Sequence, residues 1–362
     1  MIEVALDEVV EITGATVVGT PTAQVVTADV EVDSRLVAPG GLFVALPGER
    51  ADGHDHAVAA VEAGAVAALV ARPVEGAACL VVADPLGAMQ QLARALWTRG
   101  TPPLTIGVTG SSGKTSTKDL LAHVLAGAGP TLSPPGSLNN EIGLPLTALR
   151  RTVDTRFAVL EYAARGVGHI EALRGLVQPD IAVLLNIGSA HLGEFGSREA
   201  IAQAKGELLA GTRLAVPNAD DALVLAQAGR APGAVRTFGT GPDADVRAEG
   251  LELDDQGRAR FRLVAPGGSA EVALELRGAH NASNALATAA AALEVLPVDQ
   301  IAALLSSATP RSRWRMEVTE RADGVTVVND AYNANPESMR AALKTLAVMS
   351  RGKARRTVAV LG

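Results

Sequence analysis

Aromatic residues make up only 2% of this 362-residue sequence, with five Phe, two Tyr and two Trp. So few flat side chains leave little surface on which nucleic-acid bases could stack. A single cysteine, Cys79, can form no intrachain disulfide and no thiolate metal cluster, and its apolar surroundings, AACLVVAD, predict a buried strand residue. Excess positive charge is also missing: Lys and Arg total 32 against 39 Asp and Glu, a net charge of −7, so no nucleic-acid partner is expected. No run is long and apolar enough to span a bilayer, since the Ala/Val-rich stretch from Ala57 to Ala71 is short and interrupted by Glu62. The first residues, MIEVALDEVVEITG, are acidic and lack the basic and apolar regions of a signal peptide. A cytoplasmic protein without membrane insertion is the expectation.

What is present is an ordinary globular composition, 48% hydrophobic and 20% charged. The chain is longer than a single core usually serves, so two or three domains are expected. Residues 1–100 alternate short Val-rich runs with Gly/Pro turns and end in a helix from Leu86 to Trp97, which reads as a small α/β unit; RGTPPL is a plausible linker. Within 101–309 the order changes to apolar strands followed by amphipathic helices: LTIGVTG then KTSTKDLLAHVLAG, FAVLEYA then HIEALRGL, DIAVLLNIG then SREAIAQAKGELLA. That order argues for a parallel sheet wound with helices, with ligands at the strands' carboxyl ends. The runs VRTF, VRAEGLEL, ARFRLVA and EVALEL predict antiparallel strands inserted before an Ala-rich helix from Asn281 to Leu296. Residues 310–362 begin a third unit, with RMEVTE, GVTVVND, a helix from Pro336 to Val348 and a final apolar strand RTVAVLG.

Between a buried strand and a helix stands GVTGSSGKT, Gly107 to Thr115. A Gly-rich loop in that context wraps phosphates with its backbone amides. Gly110, Ser111, Ser112, Gly113, Lys114, Thr115 and Ser116 are therefore candidate ATP-binding residues, with Lys114 neutralising the β- and γ-phosphates and the Thr115 hydroxyl facing Mg²⁺. The strict pattern has Gly where this chain has Val108, so the loop is the variant TGxxGKT. The bland alternative is a Gly-rich turn capped by Thr109 or Ser112.

The loop is one of a series of ordered motifs: VDSRLVAPGGLFVALPGERADGHDH, TGSSGKTSTK, SLNNEIGLPLTAL, LEYAARGVGHI, NIGSAHLGEFGSREAIAQAKGEL, GAHNASNALATAAA, RMEV and NDAYNANPESM. On these the chain resembles the Mur ligase family. The resemblance implies a three-domain α/β architecture: a small N-terminal α/β domain for a UDP-linked substrate, a central P-loop parallel sheet wound by helices, and a partial Rossmann-like C-terminal domain. It also implies a monomeric, ATP-dependent peptide ligase using two Mg²⁺ ions, with UDP-N-acetylmuramoyl-tripeptide and D-alanyl-D-alanine as substrates.

Site roles follow from the same resemblance. Glu161 ends the strand FAVLE and would ligate Mg²⁺ with Thr115; alone it reads as a solvated strand-end acid. His191 would ligate a second metal, though a lone His is more often an ordinary loop residue. Lys205 matches a position that carries a carbamylated lysine, an oxygen ligand; without the resemblance it reads as a surface lysine. Lys114, Lys205 and His191 form the implied catalytic set. Asn284 would contact adenine, although Asn281 and Asn284 also read as helix caps. Arg315 and Asp330 would help hold ATP, and Tyr332 and Asn333 the substrate. Ser34 and Arg35 of the DSR motif resemble uridine-nucleotide contacts, and Asn139 and Asn140 a substrate or phosphate contact. Tyr162-Ala163 stands where the family commonly has Met-Gly, which puts the geometry of Glu161 in question.

The implied chemistry is attack of a substrate carboxylate on the γ-phosphoryl of ATP, then of an amine on the acyl phosphate. Within the family the rival is the ligase that adds the third amino acid; ARGVGHI and NIGSAHLGEFGS favour the dipeptide-adding type. A folylpolyglutamate synthetase fits the DSR and PGGLFVALPGER elements less well. An ATP-binding regulator that does not ligate is the alternative of another class. The family's third domain continues beyond the equivalent of residue 362, so the resemblance implies a C-terminal domain only partly present, with binding of the UDP-sugar peptide, weak binding of ATP and no ligation at a useful rate.

Overall fold

The computed structural model describes residues 1–48, 51–189, 192–351 and 356–361. Two compact units form, one from Met1–Pro103, Leu138–Arg156 and Gly175–Val177, the other from Leu104–Ser137, Phe157–Arg174 and Gln178–Gly362.

In the first unit the Val-rich runs build a five-stranded sheet in the order Thr16–Val18, Cys79–Val81, Ala67–Val70, Leu42–Val44, Val30–Glu31. The last four strands are parallel, and Thr16–Val18 is antiparallel to its neighbour. Ala67–Val70 is buried at every residue, as a central parallel strand covered on both faces requires. Cys79 is buried in its strand. Helix Pro85–Trp97 starts on a proline, whose missing amide costs nothing in a first turn. Its far end meets the buried Arg151, which donates to the carbonyls of Leu96, Trp97, Arg99 and Thr101 at 3.1, 2.7, 3.0 and 2.6 Å. A helix C-terminus leaves its last carbonyls without intrahelical partners, and one guanidinium satisfies them here.

The second unit is built on a six-stranded, all-parallel sheet in the order Ala234–Val235, Leu214–Pro217, Ile181–Leu184, Leu104–Thr109, Phe157–Glu161, Thr131–Leu132. Successive strands fall on opposite sides of Leu104–Thr109, which places a topological switch point at its carboxyl end, where ligands bind in such sheets. The strand interiors are fully buried Ile, Val and Leu. Helix His280–Ala292 packs against helix Lys114–Ala126 and is buried along most of its length; its run of alanines allows that close approach because no side chain extends past Cβ.

The inserted strands Phe238–Gly239, Val246–Leu253, Arg258–Ala265 and Gly268–Arg277 form a separate sheet. Two expectations change here. The run VRTF is split, Ala234–Val235 closing the large sheet and Phe238–Gly239 entering the small one, and Phe238–Gly239 pairs with Val246–Leu253 in parallel, not antiparallel. A four-residue run in which Val235 and Phe238 flank Arg236 and Thr237 does not reveal that its two ends hydrogen-bond to different partners. Further on, Glu317–Glu320 and Thr326–Asn329 form an antiparallel hairpin, and helix Pro336–Ser350 is held by a capping box between Asn335 and Ser338. The expected last strand is also corrected: residues 356–361 form no strand, and Val358, Val360 and Leu361 are exposed. Strand-forming residues need a ladder partner, and the hairpin strands pair only with each other among the described residues. No helix among the described residues is long and apolar enough to cross a membrane.

Arg151→Ala is expected to lower stability by about 3 kcal/mol, because it strips several carbonyls of a charged donor at once. Urea unfolding followed by circular dichroism measures this, and a loss near zero would show that water replaces the guanidinium without cost.

Candidate active site

The phosphate loop leaves the central strand Leu104–Thr109 and enters helix Lys114–Ala126. Gly113 has φ of +81°, and a Cβ there would lie 2.6 Å from Asn284 Oδ1, so the turn accepts only glycine. Asn186, at the end of the next strand, holds the loop: its carbonyl accepts from Ser111 N–H at 3.0 Å, its Oδ1 from Ser112 N–H at 2.9 Å, and its Nδ2 donates to Ser112 O at 3.1 Å. Gly188 N–H donates to Ser111 Oγ at 2.9 Å. Lys114 Nζ rests on its own loop, donating to Gly110 O at 2.9 Å. Loss of solvation pushes the Lys114 ammonium below its ordinary pKa; Glu161 opposes that shift and Arg315 reinforces it.

Glu161 is 1% exposed at the end of strand Phe157–Glu161. Thr115 Oγ1 donates to Glu161 Oε2 at 3.0 Å and accepts from Arg315 Nη2 at 3.0 Å. Tyr162 does not disturb this arrangement: its ring is buried beside Gly107, where a Cβ would come within 3.0 Å of it, and its carbonyl accepts from Thr109 Oγ1.

The surface reading of Lys205 is wrong, for it is 4% exposed in helix Arg198–Gly206. Burial, with help from the neighbouring Lys114 charge and against the pull of Glu161, brings its amine down to about 7. The helix turns this residue inward beside Ala204 and Gly206, which one residue in a sequence cannot disclose. His191 lies outside the described residues.

Arg315 is brought to the loop by an unusual backbone. Its neighbours Trp314 and Met316 have φ of +60° and +51°, a left-handed conformation costly for residues with side chains. Three contacts hold it there: Asp330 Oδ1 accepts from Met316 N–H at 3.0 Å, Glu317 Oε2 from Trp314 N–H at 3.2 Å, and Trp314 O from Tyr332 N–H at 3.2 Å. The guanidinium lies 4.1 Å from the Tyr332 ring centroid, and the Tyr332 hydroxyl meets Ser137 Oγ. Burial raises the Asp330 carboxyl above its ordinary pKa, against the Met316 hydrogen bond and the Arg315 charge.

A chamber of about 420 Å³ brings many of these groups together, with Ser112, Gly113, Ser116, Asn284, Arg315 and Asp330 in its walls. Asn281 and Asn284 are not helix caps: Asn284 Nδ2 donates to Asn281 Oδ1 at 2.9 Å, and Asn281 Nδ2 to Arg277 O at 2.8 Å. Asn333 is not part of this group; it is exposed and accepts from Ala334 N–H. The other candidates belong to the first unit. Ser34 and Arg35 begin a short 3-10 turn, where Arg35, with its side chain 85% exposed, forms a two-pronged pair with Asp33 and draws that carboxyl down to about 2. Asn139 is half-buried, and Asn140 Oδ1 accepts from Gly143 N–H at 2.9 Å at the start of helix Gly143–Leu149.

Sequence reasoning did not single out Asn186, Lys118 or Glu337. Lys118 is fully buried and donates to Pro134 O and Gly136 O at 2.7 and 2.9 Å, bracing the loop before Ser137. Its spacing of four from Lys114 puts both on one helix face, a usable signal. Glu337 Oε1 accepts from the Ser189 N–H and Oγ–H at 2.9 and 2.8 Å, and nothing local in PESM points to that partner.

A phosphate loop at the switch point of a parallel sheet defines a P-loop nucleotide-binding protein. Residues 108–292 match the Mur ligase middle domain, residues 314–362 the Mur ligase glutamate ligase domain, and residues 28–95 the Mur ligase family catalytic domain. Over 394 residues the chain is 48% identical to UDP-N-acetylmuramoyl-tripeptide--D-alanyl-D-alanine ligase of Mycobacterium bovis, covering 100% of this chain and 77% of that protein. It is 34% identical to MurF from Acinetobacter baumannii, whose crystal structure matches with a TM-score of 0.87 over 96% of this chain and 77% of that one. Against MurF ligase from Thermotoga maritima in complex with ADP the identity is 31% and the TM-score 0.77, over 89% and 75% of the two chains. The chain belongs to the Mur ligase family, and its mixed α/β architecture agrees with these solved structures.

The depressed Lys205 amine makes a prediction about stability. Between about pH 7 and the ordinary lysine value of 10.5, the unfolded chain binds a proton at this lysine that the folded chain does not. Stability therefore rises with pH across that window. Denaturant unfolding from pH 7 to 9.5 in CO₂-free buffer should show the rise in wild type and a flatter curve in Lys205→Met; identical slopes would refute the shift.

Proposed function

We propose that this Mur ligase joins D-alanyl-D-alanine to UDP-N-acetylmuramoyl-tripeptide in the cytoplasm, through an acyl phosphate, converting ATP to ADP and phosphate. The observation that carries this reading is the hydrogen-bonded set Thr115, Glu161 and Arg315 beside Lys114, at the mouth of the phosphate loop. Family membership supplies the substrate pair, through the names of the relatives.

The Thr115 hydroxyl and Glu161 carboxylate are hard oxygen donors 3.0 Å apart. That donor set fits Mg²⁺, which takes few protein oxygens and completes its shell with phosphate and water. When bound, the ion lowers the repulsion between a carboxylate and the triphosphate. By the family resemblance a second ion would be held by Glu161, His191 and Lys205, the lysine only once it carries a carbamate. The loop amides from Gly110 to Ser116, kept in register by Asn186, would cradle the phosphates. Lys114 would leave Gly110 O for the phosphate oxygens, where its charge stabilises the transferring group. Asn284 would take the adenine, and Asp330 a ribose hydroxyl. Ser34, Arg35, Asn139, Asn140, Tyr332 and Asn333 would contact the UDP-sugar peptide. A substrate carboxylate oxygen bonds to the γ-phosphorus as ADP leaves. The amine nitrogen then bonds to the acyl carbon, phosphate is expelled, and the amine loses its proton.

Lys205 is proposed to work as a carbamate. A desolvated amine is neutral in good part near neutral pH, so its lone pair can add to CO₂ with release of one proton. The product is an oxygen anion close to Lys114, which turns a repulsive pair of cations into an attractive one. Protein equilibrated with ¹³C-labelled bicarbonate should show a carbamate carbon signal that Lys205→Met lacks; its absence from wild type would sink this assignment.

Lys114→Ala is expected to stay folded and lose at least about 100-fold in turnover, the cost of removing a charge that acts in the transition state. The assay is phosphate release that requires both the UDP-sugar tripeptide and D-alanyl-D-alanine. ATP binding without release dependent on both would favour a non-ligating regulator.

A further inference from the structure

A second cavity, of about 540 Å³, lies beside Thr115 and shares Arg315 with the nucleotide chamber. Its walls carry three arginines, Arg311, Arg313 and Arg315. The one acid in the wall, Asp119, is already engaged: Oδ1 lies 2.8 Å from Lys118 Nζ, and Oδ2 accepts from Ser312 Oγ at 2.6 Å. Lys118 and Asp119 offset one another, which leaves three guanidinium charges. Arg315 is held on Thr115, whereas Arg311 and Arg313 are exposed and, among the described residues, pair with no carboxylate. Trp314 and Tyr332, 52% and 41% exposed, add apolar surface to the same walls. The left-handed turn at Trp314 explains this concentration: residues 311–315 all line the cavity, where an extended chain would send alternate side chains away.

We propose that this cavity receives the side chain of the third residue of the UDP-sugar tripeptide, and that Arg311 and Arg313 hold a carboxylate at its end. The inference rests on the function proposed above. There, the attacking carboxylate must reach the γ-phosphorus held by Lys114 beside Thr115, and it belongs to the tripeptide's third residue. The side chain of that residue is carried on the adjacent carbon, so it is the substrate group closest to the adjoining cavity. A guanidinium pairs with a carboxylate through two parallel hydrogen bonds, and arginines with no internal acid remain open to do so. Trp314 and Tyr332 cover the methylenes of such a chain. The end of the diaminopimelate side chain carries a carboxylate beside its ammonium, so one of its charges is complementary to the guanidinium groups and can pair with them. A side chain ending in a bare ammonium, as in lysine, meets three like charges, the repulsive element that discrimination requires.

The test is calorimetric binding of two UDP-sugar tripeptides, ending in diaminopimelate or in lysine, to the 362-residue chain, with Trp314 fluorescence as a second readout. Wild type should bind the diaminopimelate form about 10-fold more tightly, the effect of roughly one charge-assisted contact. Arg311→Gln with Arg313→Gln should erase the difference, and Arg313→Glu should reverse it; both residues are exposed, so the variants should fold. Equal affinities in wild type, or a preference unchanged in both variants, would overturn the inference while leaving the proposed ligase function standing. If neither tripeptide binds, that function fails and the subsite fails with it.

Discussion

The Thr115 hydroxyl donates a hydrogen bond to Glu161 and accepts one from Arg315, so a single buried oxygen joins the phosphate-loop helix, the end of a neighbouring parallel strand and the segment carrying residues 311–316. A carboxylate as buried as Glu161 is costly without partners. Thr115, 46 residues earlier in the chain, supplies it with a donor, and Arg315, 200 residues beyond Thr115, donates in turn to the Thr115 hydroxyl. The strained backbone at Trp314 and Met316 persists because these contacts, with those of Asp330 and Glu317, over-determine it.

Around that oxygen the charges are unbalanced in a purposeful way. Lys114, Lys205 and Arg315 gather near one carboxylate, and both lysines are pushed toward their neutral forms. In a desolvated site, like charges so placed raise the free energy of the empty state. Burial is the main cause of the depressed lysines, with the neighbouring cations adding to it, and an anion entering the site relieves their repulsion, so the arrangement favours binding of phosphate and carboxylate. The cation-rich cavity lined by residues 311–315 extends this field beyond the nucleotide chamber.

Much of the fold was legible in the sequence because its signals are local. The parallel sheet follows from apolar strands alternating with helices, and the phosphate loop from glycines between a strand and Lys114. Buried Cys79 follows from its apolar run. Other features were hidden because they are relations between distant residues. The run VRTF divides between two sheets, and RTVAVLG has strand-forming residues but no ladder partner among those described. Lys118, Asn186 and Glu337 act through hydrogen bonds to loops far along the chain.

By itself the sequence determined the class of chemistry, since a glycine-rich loop followed by Lys114 and Thr115 has backbone amides, a cation and a hydroxyl in fixed order whatever surrounds them. Tertiary structure alone decided the electrostatic state of those groups. Lys205 reads as a surface residue in its own segment, and only packing removes its water and sets it near Lys114 and Glu161. Likewise Arg311 and Arg313 are ordinary exposed arginines until the turn at Trp314 directs them into one cavity with Arg315. Ionisation and charge complementarity depend on distances through space, and those exist only once the chain has folded.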